Sequence, residues 1–212
     1  MITSRISPVR RLVLTVAAVL ALATGAAAAD DVFEFAQALA KRGYTDLAER
    51  TYRGLLQDPK APAARKAEGQ LGLALLKYTE AGLAAAEERE RRRKPFSEVL
   101  GLFDGAESEI ASFIKSNAGH IRVLDAKLER ARLLQDKAKY IKKAMEKGWV
   151  PSDVSRNLKE EMAKGFDVAI EMLEAVEKKA RDDYAAAKGD EARADAEYEL
   201  GRVWLLRLYA MY

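Results

Sequence analysis

The sequence predicts an all-α protein, and three observations carry that prediction. Ala, Leu, Glu, Lys and Arg dominate the composition, and these residues are the strongest intrinsic helix formers. Apolar residues recur in steps of three and four along most of the chain after residue 30, which places them on one face of a helix. No Asn-Gly or Asp-Gly turn separates alternating apolar and polar runs, the pattern typical of a β-hairpin.

Glycine and proline divide the chain into seven expected helices. Glycine tolerates the left-handed conformation that follows a helix C-terminus, so Gly43, Gly148 and Gly189 are expected to end helices. Proline cannot continue a helix, so Pro59 and Pro95 mark two further breaks. The expected ranges are 32–42, 45–58, 63–93, 96–115, 121–147, 153–187 and 191–212. The third, fifth and sixth of these helices are unusually long.

The first 29 residues are expected to be a secretory signal peptide. A positively charged start precedes an uncharged apolar run, and small residues follow the run. The arginines are Arg5, Arg10 and Arg11, and the expected signal peptidase site is formed by Ala27 and Ala29. The apolar run is shorter than the roughly 20 residues that span a bilayer. An uncleaved anchor helix is the alternative.

Export predicts a mature chain of residues 30–212, an all-helical domain outside the cytoplasm with no stable membrane span. Three of the 36 basic residues lie before residue 30, and none of the 33 acidic residues does, so the mature chain carries 33 of each. The net charge of +3 therefore belongs to the signal segment. A nucleic-acid partner is not expected, because such partners require an excess of basic charge.

The residues that usually carry catalysis are scarce or badly placed. The chain has no cysteine, which excludes disulfides, thiolate metal sites and cysteine nucleophiles. His120 is the only histidine, and its expected role is at the surface or at a helix end. Paired carboxylates such as Glu160 and Glu161 lie among basic neighbours, and the lysines from Lys137 to Lys147 are expected to form a solvated face. No catalytic residue, metal or cofactor is therefore expected, and the protein is not expected to be an enzyme.

The first two expected helices carry the pattern of a compact helical hairpin. The pattern consists of Val32, Phe35, Ala36 and Leu39 on the first helix, Gly43 in the turn, and Ala48, Tyr52 and Leu55 on the second helix. Two Leu-Gly pairs follow later, at Leu71–Gly72 and Leu200–Gly201. Since glycine has no side chain, we expect each pair to let a partner helix approach closely.

These residues resemble a tetratricopeptide repeat, in which two antiparallel helices pack through small residues. The resemblance implies antiparallel hairpins stacked as a degenerate solenoid. The chain departs from the family because its two Leu-Gly pairs are 129 residues apart, which is not a multiple of the 34-residue period. An ordinary antiparallel helical bundle is the alternative.

The same resemblance implies an exported scaffold or adaptor that binds another protein or a peptide segment in a groove of stacked hairpins. The residues expected on the binding face are Tyr44, Tyr52, Arg53, Lys77 and Tyr78.

The last expected helix suggests a second function, because residues 200–212 are apolar on almost every side and such a helix is normally buried. It folds back into the core, it pairs with another copy, or the chain is the N-terminal part of a longer array. Pairing would make the protein a structural one that forms a homo-oligomer. The expected assembly surface is Trp204, Leu205, Leu208, Tyr209 and Tyr212.

Overall fold

The structure, a computed structural model, describes residues 31–87, 92–150 and 154–211. These residues form helices joined by short connections, with no strand among them, so the all-α prediction is confirmed. The helices are α1 (Asp31–Lys41), α2 (Thr45–Gln57), α3 (Ala63–Ala86), α4 (Phe96–Ser116), α5 (Val123–Glu146), α6 (Ser155–Ala186) and α7 (Asp190–Met211). The expected signal peptide lies outside the described residues.

The three glycines that the sequence predicts at helix ends all adopt the left-handed backbone conformation. Their φ angles are 84° at Gly43, 67° at Gly148 and 115° at Gly189. At the first of these turns, the N–H of Tyr44 donates to the carbonyl of Leu39 at 2.9 Å. This bond satisfies a carbonyl that the end of α1 would otherwise leave unpaired, and α2 then begins at Thr45.

The expected C-terminus of α3 is wrong, because the helix ends at Ala86 rather than at Arg93. Residues 87–94 are all charged, so beyond Ala86 the sequence offers no apolar face, and the packing of such a face supplies most of the stability of a helix in a protein. Of the basic residues that follow, Arg92, Arg93 and Lys94 are described, and they are not helical. The guanidinium of Arg93 lies 4.0 Å from the ring centre of Trp149, and Lys94 pairs with Glu98 at 2.8 Å.

The helices stack in two layers. Each helix packs against the next one along the chain, so the prediction of packed helical hairpins is confirmed. The main additional contacts join α1 to α3, α3 to α5 and α5 to α7. The odd-numbered helices therefore form the more closely packed layer.

Two clusters of buried side chains form the core. The first joins α1 to α5 and contains most of the buried aromatic residues. The second joins α5, α6 and α7 and is aliphatic. The largest side chains of the first cluster are Phe33, Tyr52, Phe103, Phe113 and Tyr140, and those of the second are Leu128, Leu134 and Leu173.

The first Leu-Gly pair has the predicted close approach and the second does not. A Cβ added to Gly72 would lie 2.3 Å from the ring of Tyr52 on α2. At Gly201 an added Cβ would meet nothing within 4 Å. The expectation for Gly201 is therefore wrong, and the physical reason is that the described helices bring no neighbour against that side of α7.

The expected burial of the last helix is also only partly correct. Val203 is fully buried against α5 and α6. Trp204 and Leu205 are 55% and 69% exposed. Within the described residues α7 packs mainly against α6, so its opposite side faces solvent.

Candidate functional site

The odd-numbered helices enclose a groove that is the leading candidate for a binding site. One cavity of about 580 Å³ lies between α1, α3 and α5. A second cavity of about 480 Å³ is lined by α1, α3, α5 and α7. The two share Gln37, Lys41, Leu75 and Glu129. Because these residues lie in both cavities, we treat them as one continuous site, the odd-helix groove.

Arg122, immediately before α5, holds the first and fifth helices together across α3. Its Nη2 donates to Glu34 of α1 at 3.0 Å, and its guanidinium lies 4.9 Å from the ring centre of Phe33. Its Nη1 also lies 3.7 Å from Asp125 at the start of α5. The contacts of Arg122 join α1 to α5, which are not neighbours along the chain. They therefore set the separation of these two helices at this end of the groove.

Arg202 attaches α7 to the same wall. Its Nη1 donates to Asp125 at 2.7 Å and to Glu199 at 2.9 Å. The pKa of Arg202 is raised, because these hydrogen bonds and the charges of both carboxylates outweigh the opposing effect of burial. Arg122 and Arg202 thus both contact Asp125, which makes this carboxylate the link between α1, α5 and α7.

Tyr78 and Asp136 form the polar contact at the other part of the groove. The hydroxyl of Tyr78 on α3 donates to Asp136 of α5 at 2.5 Å. Burial of the phenol, followed by the charge of Asp136 and the hydrogen bond to it, holds the pKa of Tyr78 well above its usual range. The phenol therefore stays protonated and acts as a hydrogen-bond donor.

Glu129 lies where the two cavities meet. Burial raises the pKa of its carboxyl, and the positive charges of Arg132 and Arg202 only partly oppose that effect. Lys41 lies on the facing wall and contributes a weaker opposing charge. The groove therefore carries side chains of both signs, and its apolar floor is formed by Leu71 and Leu75.

The structure separates the residues that the sequence places on one binding face. Tyr78 lines the odd-helix groove. Tyr52 lines the same cavity, but it is 1% exposed and its ring packs in the core, 5.6 Å from that of Phe33. Tyr44 lies in the turn between α1 and α2 and is more than half exposed.

Arg53 and Lys77 lie outside this groove. Both line an adjoining cavity of about 550 Å³ between α2, α3 and α4. It borders the larger groove cavity at Thr45, Leu76 and Leu83, but the two have no charged lining residue in common. Arg53 pairs with Glu49 at 2.6 Å, and Lys77 pairs with Glu109. Because both pairs are well exposed, each contributes little to stability, and neither side chain faces the odd-helix groove.

The groove residues that the sequence did not reveal come chiefly from α5. Asp125, Glu129, Arg132 and Asp136 follow one another at steps of four, three and four, so they share one face of that helix. This charged stripe is a signal that the sequence contains. The sequence does not indicate that α1, α3 and α7 lie against this charged face of α5.

Two further expectations can be compared with the structure. His120 is half-buried and contacts a helix start, as predicted: its Nδ1 accepts from the N–H of Arg122 at 3.1 Å, and its Nε2 lies 3.1 Å from the carbonyl of Ala64. Lys137 is 8% exposed, so its assignment to a solvated face is wrong. It is buried because Asp104 of α4 and Glu161 of α6 both reach it.

The expected assembly surface is described in part. Trp204 and Leu205 are exposed on α7. The backbone of Leu208 and Tyr209 is helical, but their side chains lie outside the described part of the structure, as does Tyr212. The expected cleavage-site residues Ala27 and Ala29 also lie outside it.

No protein-family model, curated protein or solved structure matches this chain. Among residues 31–87, 92–150 and 154–211, none of the helices has both the length and the apolar character needed to cross a bilayer. Over the same residues, no group of three or more histidine, aspartate or glutamate side chains is placed to hold a metal ion.

Proposed function

We propose that this chain is an exported, non-catalytic scaffold or adaptor that holds a segment of another protein in the odd-helix groove. The observation that carries the proposal is the merging of two cavities along four alternate helices. A groove of this kind suits an extended segment better than a small molecule, because it is open along its length and lined by many polar groups. The resemblance of residues 32–59 to a tetratricopeptide repeat supports the same function.

The scaffold proposal predicts that partner capture depends on the groove walls. We would use the purified protein as bait in an envelope extract and compare it with the variant Lys41→Glu, Arg132→Glu. Both side chains lie on the groove wall, and neither is buried, so the variant should fold while its groove charge is reversed. We expect the captured partner to fall at least tenfold, measured by quantitative mass spectrometry.

The matched control for this capture is Arg53→Glu, Lys77→Glu. It reverses the charge of two exposed cations outside the groove, in the adjoining cavity between α2, α3 and α4. Equal loss of the partner in both variants would contradict a groove-specific function. Retention of the partner by both variants would contradict it as well.

A second function, assembly through α7, is favoured by the exposure of Trp204 and Leu205 on neighbouring positions of that helix. If this surface joins two copies, the variant Trp204→Glu, Leu205→Glu should change the measured mass from that of an oligomer to that of a monomer. Light scattering coupled to size exclusion makes this measurement. A monomeric mass for the unaltered protein across the micromolar range would exclude the assembly function.

Export is the third part of the proposal, and it predicts processing after Ala29. The mature chain should begin at Asp30, as determined by intact-mass measurement of protein recovered from outside the cytoplasm. Replacing Ala27 and Ala29 with lysine should leave the segment uncut, because signal peptidase requires small residues at these positions. An unaltered chain that is recovered outside the cytoplasm with residues 1–29 attached would favour the anchor alternative.

A further inference from the structure

Three charged side chains of the odd-helix groove are left without a fixed partner. Most of the charged groups that line it are paired: Glu34 with Arg122, Asp125 with Arg202 and Arg122, Glu199 with Arg202, and Asp136 with the hydroxyl of Tyr78. Within the described residues, Lys41, Glu129 and Arg132 form no hydrogen bond or ion pair. These three groups are therefore the ones available to a ligand.

Glu129 is the central member of this set. It lies in both cavities and is half-buried, whereas Lys41 and Arg132 are exposed. The nearby guanidinium of Arg202 is already bonded to Asp125 and Glu199. A carboxylate in this position is poorly hydrated and lacks a strong donor, so a cationic group that enters the groove would form a charge-assisted hydrogen bond with it.

Lys41 and Arg132 lie on opposite walls near this carboxylate. Lys41 belongs to α1 and Arg132 to α5, and both line the larger cavity with Glu129. A segment in the cavity would thus find one negative side chain with a positive one near it on each wall. A complementary segment carries one basic side chain with an acidic one on either side of it.

We propose that the odd-helix groove takes an extended peptide segment in which one basic side chain is flanked by two acidic ones. The basic side chain contacts Glu129, and the acidic ones contact Lys41 and Arg132. This inference rests on the proposed scaffold function and assigns the chemistry of its ligand. It disfavours a uniformly acidic segment, which would place carboxylates against Glu129, Asp125 and Asp136. It equally disfavours a uniformly basic one, which would meet Lys41 and Arg132.

Four labelled peptides test the inference by fluorescence anisotropy. Alternate residues of an extended chain point to the same side, so the mixed probe carries Glu-Gly-Lys-Gly-Glu between neutral ends. The comparison probes carry three Glu, three Lys or three Gln at the same positions. We expect the mixed probe to bind the unaltered protein tightest, by about tenfold over the Gln probe. Binding should weaken as salt concentration rises, because exposed charges are screened.

The variant Glu129→Gln should reduce binding of the mixed probe by about tenfold, since it removes the charge and keeps the shape of the side chain. The matched control is Glu109→Gln, which makes the same change outside the groove, where Glu109 pairs with Lys77. That control should bind like the unaltered protein. Equal binding of all four probes, or tightest binding of the all-Glu or all-Lys probe, would overturn the assigned charge pattern.

The two proposals fail in different ways. If no probe binds but a partner protein is still captured through Lys41 and Arg132, the charge pattern is wrong and the scaffold function stands. If the variant Lys41→Glu, Arg132→Glu captures as much partner as the unaltered protein and no probe binds, both proposals are wrong. Thermal unfolding of each variant verifies that it is folded before either result is interpreted.

Discussion

Replacing Gly72 with alanine is expected to lower the free energy of unfolding by about 1–3 kcal/mol, the usual cost of overpacking a core. The added Cβ would lie 2.3 Å from Cδ1 and Cε1 of Tyr52 and 2.5 Å from its Cζ. That ring cannot easily move, because it is 1% exposed and packs against the ring of Phe33. The substitution therefore has to separate α2 from α3 or displace the buried tyrosine.

Gly82 provides the matched control on the same helix. A Cβ added there would meet nothing within 4 Å, so only the intrinsic preference of alanine for a helix acts. Gly82→Ala should raise stability by about 0.5–1 kcal/mol. Urea denaturation of the two variants should therefore move their midpoints in opposite directions.

A second substitution tests the cause of the Gly72 effect. The variant Gly72→Ala, Tyr52→Leu makes room for the added methyl group, so it should be less destabilised than the sum of its two single substitutions. Additive losses would show that the ring of Tyr52 is not the obstacle. An unchanged midpoint for Gly72→Ala alone would mean that α2 and α3 are not packed as closely as the structure places them.

Gly72 also shows how far local sequence predicts this fold. Helix positions follow from the spacing of apolar residues and from glycine and proline, which act over a few residues. The turns at Gly43, Gly148 and Gly189 could be predicted for that reason. The contrast between Gly72 and Gly201 could not, because identical Leu-Gly pairs differ only in whether another helix covers them.

The candidate site depends on contacts between helices that are distant in the sequence, and such contacts could not be predicted from it. Tyr52 and Tyr78 both line the larger cavity, yet the hydroxyl of Tyr52 donates to the carbonyl of Phe33 on α1, whereas that of Tyr78 donates to Asp136 on α5. Arg122 contacts Glu34, which is 88 residues earlier in the chain. The charged face of α5 is visible in the sequence. Its role in a groove follows only from the placement of α1, α3 and α7.

Lys137 is the clearest case in which long-range packing changes the meaning of a residue. A lysine beside other lysines is normally solvated, but this one is 8% exposed at the centre of α5. Its Nζ donates to Asp104 of α4 at 2.5 Å and to Glu161 of α6. Three helices are therefore joined by one buried cation and two carboxylates.

Replacing the two carboxylates of this network should lower the free energy of unfolding more than replacing the lysine. In Asp104→Asn, Glu161→Gln the buried cation loses both of its charged partners, and the expected loss of stability is about 3 kcal/mol. In Lys137→Met the two carboxylates remain, but their side chains are 52% and 44% exposed. Water can hydrate them, so the expected change is within about 1 kcal/mol. Urea denaturation at neutral pH measures both values.

The pH dependence of this network gives an independent test. Burial tends to lower the pKa of Lys137, but the hydrogen bonds and charges of Asp104 and Glu161 outweigh it and raise the pKa above its usual value. The folded state therefore binds this proton more tightly than the unfolded chain does, and the resulting stability is fully present below the unfolded pKa of about 10.4. It is lost as pH rises through the folded value. The stability difference between the unaltered protein and Lys137→Met should thus be constant from pH 7 to pH 9 and shift against the unaltered protein in stronger alkali.

If the two variants lose unequal amounts of stability at neutral pH, the packing of α4, α5 and α6 is what buries the lysine. The two carboxylates then serve to compensate its buried charge. Equal losses in the two variants would mean that the carboxylates depend on the lysine as much as it depends on them. The lysine would then hold α4 and α6 against α5.

The variant Asp104→Asn, Glu161→Gln should also have the opposite pH dependence of stability, because burial without charged partners lowers the pKa of a lysine. That variant should therefore regain part of its lost stability as pH rises, whereas the unaltered protein loses stability over the same alkaline range.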